Sequence, residues 1–231
     1  MTDIDLNEKV RQFLKLATEN FVIQNFEHAI RDLKAAEVLD KDNPEILYNL
    51  GVNYSRLGLY KTSIEYFEKL LNLPSAFVEA LVVKKLLAYA YINIKEFKKA
   101  QKILDDVVKL SPSDTVAYNM KGYCLEKQDN WKNAIKVYRL IIDIDDNNFN
   151  AYNSLAYLIS KNNGDLDESL EYSKKAHESN NKNPAYIDTL GFVYLKRGNR
   201  EMAKKFLGRA LELKPFSVEI KEHINELQRL K

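Results

Sequence analysis

Apolar residues return along this chain at the three-to-four spacing of one helix face, in segments that come in pairs. The pattern is clearest from Pro184 to Ser217. Leu190, Gly191 and Tyr194 mark one amphipathic helix, and Ala203, Leu207 and Ala210 mark a second, with a tight turn at Lys196-Arg197-Gly198-Asn199 between them. Upstream, the spacing predicts helices at about 9–22 and 26–39, then near 44–57 and 60–73, with residues 1–9 a polar lead-in. Asn25 and Asn43 stand where an N-cap is needed, Pro44 suits a first helical position, and Pro74 ends a helix. The apolar-rich run SAFVEALVVKKLLAYAYINI predicts one long helix from Ser75 to about Asn93. After Pro215, Val218, Ile220, Ile224, Leu227 and Leu230 line one side of a last helix. Alternating runs bounded by turn residues, the mark of strands, are absent.

The pairs recur with a period of 34 residues. Six copies run 10–43, 44–77, 81–114, 115–148, 149–183 and 184–217, followed by a terminal segment at 218–231. Three surplus residues fall at 78–80 and one near Asn163-Gly164. Position 8 of the copies is Ala17, Gly51, Ala88, Gly122, Ala156 and Gly191, all small. Position 20 is Ala29, Ser63, Ala100, Ala134, Ser169 and Ala203, again small, whereas position 24 is bulky except at Ser173. Small residues facing large ones let two helices interlock. Copy 149–183 departs at Leu166, Ser169 and Ser173, so its pair is expected to pack less tightly.

This order of residues, with Pro215 closing the last copy, resembles the tetratricopeptide repeat, a helix-turn-helix of 34 residues. The resemblance implies an all-α, right-handed superhelical solenoid with a concave groove, capped by the terminal helix. It also implies that the first helix of each pair lines the groove, with positions 2, 5, 9 and 12 facing a ligand.

Composition adds exclusions more than assignments. The 231 residues carry 35 basic and 33 acidic side chains, a net charge of +2. Residues 196–231 hold ten basic and five acidic groups, a modest basic end that reads as a solvated face rather than the broad stripe of a nucleic-acid binder. The single cysteine, Cys124, excludes an intrachain disulfide and is expected to pack as a small apolar group. MTDIDLNEKV has no basic and apolar leader pattern, and no run of 18 apolar residues exists. No membrane association is expected, and the cytoplasm is the expected compartment, a removed export signal being the other possibility.

Candidate chemistry is sparse. His28, His177 and His223 fall in distant segments and are expected to be exposed or half-packed. There is no HExxH, no paired Cys-x-x-Cys and no phosphate-cradling glycine loop, so neither catalysis nor a metal or cofactor is expected. The expectation is a protein-interaction scaffold. The resemblance places its groove at Tyr48, Asn49, Lys85, Tyr89, Asn119, Tyr123, Asn153, Tyr157, Asp188 and Phe192. Asparagine offers a donor and an acceptor to an extended segment's amides, and tyrosine offers rigid area with a polar tip. The expected ligand is an extended or helical segment of another protein. Chaperone-binding members of the family hold a terminal carboxylate with Lys, Asn and Arg from three successive repeats. No window here supplies that set; in the first, only Asn49 matches. Two other readings are an RNA-binding solenoid, which the scarcity of groove cations opposes, and self-association through the groove or terminal helix.

Overall fold

The computed structural model describes residues 3–74 and 80–229. They form thirteen helices: α1 (Asp3–Val22), α2 (Phe26–Leu39), α3 (Pro44–Arg56), α4 (Tyr60–Leu71), α5 (Ala80–Asn93), α6 (Phe97–Leu110), α7 (Thr115–Lys127), α8 (Trp131–Ile144), α9 (Phe149–Lys161), α10 (Leu166–Ser179), α11 (Pro184–Lys196), α12 (Arg200–Leu213) and α13 (Val218–Arg229). No strand occurs among the described residues, so the fold is all-α. The start expected for the long helix, at 75–79, lies outside them.

Of the lead-in expected over residues 1–9, the described part, from Asp3 onward, is instead helix and opens α1. Leu6, Val10, Phe13 and Ala17 continue its apolar stripe, and Val10 and Ala17 are buried. Helix starts follow the side-chain caps. Asn25 accepts from the His28 N–H, and Asn43 accepts from Glu45 and Ile46 N–H with Pro44 at the first position. Asp165, Asn183 and Asn199 cap α10, α11 and α12 in the same way.

The chain divides into two compact units, Met1–Met120 and Lys121–Lys231, the division falling inside α7. In the first unit α1 packs on α2, α2 on α3, α3 on α4, and α4 on α5. Its core gathers Val10, Ala17, Leu33, Ala36, Ile46 and Leu50. Gly51 of α3 lies under the Phe67 ring of α4: a Cβ there would stand 2.5 Å from the ring. In the second unit a Cβ on Gly122 would meet Tyr138 at 2.6 Å, and one on Gly191 would meet Leu207 at 2.9 Å. Positions 8 and 24 therefore interlock, as their sizes require.

The serines at position 20 add a polar clasp to this contact. Ser63 Oγ donates to the Gly51 carbonyl at 2.8 Å, and Ser169 Oγ to the Ala156 carbonyl at 2.6 Å. Ser173 is fully buried and bonds the Leu170 carbonyl. The looser packing expected of α9 and α10 is therefore not seen at these positions, because hydroxyls occupy the space and find acceptors.

Position 15 of every copy has a left-handed backbone: Gln24, Gly58, Lys95, Asp129, Asn163 and Gly198, with φ between 55° and 78°. Only two of the six are glycine. At each, the chain must reverse within three or four residues for the second helix to fold onto the first.

Candidate functional site

In the first unit, Tyr48 and Asn49 are half-buried on α3. Tyr89 of α5 is 46% exposed, its ring edge-on to Tyr60 at 6.1 Å. Lys85 is not available as a groove cation: its Nζ donates to Asp114 Oδ2 at 2.6 Å. Burial would raise the Asp114 carboxyl, but the Lys85 bond and the Ala117 N–H outweigh it and hold it below its ordinary value. Asn119 donates from Nδ2 to the Thr115 carbonyl of its own helix at 2.8 Å.

The expected set of groove residues omits Asn53. Asn53 is 2% exposed, and its Nδ2 donates to the Asn49 carbonyl at 2.8 Å. Its Oδ1 is buried with no partner, beside a cavity of about 60 Å³ lined by Thr18 and Asn49 among others. The signal was present: Asn53 holds position 10, which is Ala90, Cys124, Leu158 and Val193 in the later copies.

The second unit holds a recess of about 350 Å³. Helix α7 contributes Tyr123, Glu126 and Lys127, and α9 contributes Asn153, Ser154 and Tyr157. Helix α11 brings Asp188 and Thr189, and α13 brings Glu219 and Ile220. Tyr123 is 40% exposed, with Lys127 Nζ 5.1 Å from its ring centre. Asn153 Oδ1 is buried and has no partner. Burial pushes the Glu126 carboxyl above its ordinary value, although the Tyr138 hydroxyl donates to it at 2.6 Å. Burial also raises the Tyr157 phenol, and Glu219, to which it is hydrogen-bonded, raises it further.

Helix α13 corrects the expected site. Asp188 and Phe192 were expected on an open groove, yet they are 5% and 3% exposed. His223 of α13, itself buried, hydrogen-bonds Asp188 at 3.0 Å and stacks on Phe192 at 4.2 Å. Lys196 Nζ closes on Glu226 at 2.6 Å. His223 is thus a core residue, whereas His28 is exposed and His177 half-buried. Of the ten expected residues, the recess unites Tyr123, Asn153, Tyr157 and the buried Asp188. Tyr48, Asn49, Lys85, Tyr89 and Asn119 belong to the other unit. Glu126 and Glu219 complete the recess; nothing in their local sequence separated them from solvated helix charges.

The recess is rich in acceptors, which suits hydrogen-bond donors. Among the described residues, no group of three or more His, Cys, Asp or Glu is placed to hold a metal ion. No helix among them is long and apolar enough to cross a membrane.

Comparison with known proteins agrees with this architecture. Family models match at residues 23–58 (TPR repeat), 56–140 (anaphase-promoting complex, cyclosome, subunit 3) and 186–217 (tetratricopeptide repeat). The mitochondrial import receptor subunit TOM70 of Rattus norvegicus is 26% identical over 194 residues, covering 82% of this chain but 32% of its own length. The chain thus spans about a third of the length of such relatives. MamA from Desulfovibrio magneticus superposes with a TM-score of 0.68 at 23% identity, over 74% of this chain and 94% of that one. A tetratricopeptide repeat protein from Parabacteroides merdae superposes with a TM-score of 0.80 at 15% identity, over 96% and 86%. Paired helices in a 34-residue register, interlocked at positions 8 and 24 and matched by repeat models in three segments, make this chain a member of the tetratricopeptide-repeat family.

Proposed function

We propose that this protein is a non-catalytic adaptor that holds a segment of a partner protein against the first helices of its repeats. Proteins of this repeat family generally mediate protein–protein interactions. The observation that carries the reading is Asn153. Its Oδ1 is a buried acceptor without a partner, and such an atom costs about 1–3 kcal/mol until something donates to it. It lines a recess of about 350 Å³ beside the exposed Tyr123. A main-chain N–H of an extended segment would satisfy the amide oxygen while its flank lay on the tyrosine ring.

The test compares wild type with Tyr123→Ala/Asn153→Ala in quantitative affinity capture, followed by Kd measurement on the retained protein. Partner affinity should fall by about tenfold or more, with the melting temperature held within a few degrees. Equal affinity in both forms would refute the site.

A further inference from the structure

A second surface lies away from this recess, between α12 and α13, and nothing above assigns it a role. It is a groove of about 500 Å³ with an apolar floor of Leu207, Ile224 and Leu227. Arg200, Glu201 and Lys204 form its rim.

The repeat register says what shape of occupant fits. Ser217, at position 34, caps α13 just as Asn43 and Asn148, also at position 34, cap α3 and α9. Helix α13 therefore begins as the first helix of a further pair would. Elsewhere, three second helices, α4, α10 and α12, present an aromatic ring at position 23 to the preceding second helix, whereas α2, α6 and α8 carry Asp32, Ile103 and Val137 there. Tyr66 of α4 is held by Lys34 at 2.5 Å and by Glu37 at 3.3 Å, which are positions 25 and 28 of α2. Tyr172 of α10 bonds Arg139, position 25 of α8. Phe206 of α12 meets His177, position 28 of α10, edge-on at 5.5 Å. On α12 the same two seats are Gly208 and Leu211. A Cβ on Gly208 would meet nothing within 4 Å. Among the described residues, no ring occupies that seat.

Charge selects among possible occupants. Residues 196–231 carry ten basic and five acidic groups, and two of the three charged rim residues are cations. Lys204 stands at position 21, where Ile30, Ile64, Ile135 and Leu170 stand in other copies. It keeps the rim solvated and would face an anionic flank on any helix laid in the groove. We propose that this groove docks an acidic amphipathic helix of another protein, with an aromatic side chain seated over Gly208. This surface is separate from the adaptor recess, so either can fail alone.

The probe is a synthetic peptide of residues 165–179, capped at both ends. It carries five acidic residues, two lysines and Tyr172 at the ring position. Fluorescence anisotropy with the full chain should show saturable binding that weakens as salt rises. Gly208→Leu places its Cβ where nothing lies within 4 Å and its side chain in the seat, and should lower affinity by about tenfold while leaving the melting temperature unchanged or higher. Lys204→Glu should weaken the acidic peptide and strengthen a variant of it with lysines in place of its glutamates. Three results would overturn the proposal: no saturable binding, affinity indifferent to Gly208→Leu, or light scattering in which wild type dimerises and Gly208→Leu does not. The last would assign the groove to a second copy of this chain.

Discussion

Glu126 shows how a single side chain reads differently in sequence and in space. On α7 it is one of many helix acids, yet it is half-buried, with the Tyr138 hydroxyl donating to its carboxylate. Burial raises its pKa, so the folded protein keeps this proton to a higher pH than the unfolded chain does. The associated stability is present below the ordinary carboxylate range and is lost as pH rises through the raised value. Denaturant titrations between pH 4 and 8 should therefore show wild type losing stability over that window. Glu126→Gln should remove most of this slope and be at least as stable at neutral pH, since its amide oxygen still accepts from Tyr138. A slope unchanged in the variant would place the titration elsewhere. Asn53 makes the converse point. Its polarity at a position that is apolar in the four later copies was visible in the alignment, but only coordinates reveal that its oxygen lacks a partner.

At the scale of elements, helix starts and interlocks were legible because their causes are local. An asparagine before a proline caps a helix whatever surrounds it, and a small residue opposite a large one is a matter of volume. The turns were only half legible. Gly58 and Gly198 announce a left-handed residue, but Gln24 and Lys95 adopt the same conformation without any such signal. Hairpin closure imposes it on them at about 1–2 kcal/mol each. Lys95→Gly should accordingly raise unfolding stability by about 1 kcal/mol in urea titrations, although glycine adds entropy to the unfolded chain. A destabilised variant would mean that the lysine gains something at this turn that compensates for its backbone.

At the scale of the molecule, a repeat array couples each element chiefly to its neighbours. Phe192 tests this, because it packs between Tyr157 of α9 and His223 of α13. Phe192→Ala should cost about 3–5 kcal/mol and strip amide-exchange protection first from α11 and α13, then from α9, with helices earlier in the chain affected least. Uniform loss over all thirteen helices would show a single cooperative unit instead. The same experiment separates two roles for this residue, since a ring that served only an incoming ligand would leave exchange unchanged.

The 34-residue period, the pairing of helices, their caps and the small-on-large contacts are properties of neighbouring residues, and the amino-acid order determined them. Which inner-face residues stay open was decided by the tertiary structure. Periodicity assigns Asp188 and Phe192 to the same face as Tyr89 and Tyr123, and it predicts a last helix, but it does not say which of these residues that helix covers. Only the folded chain brings His223 onto that face, burying the first two while Tyr89 and Tyr123 remain in contact with water.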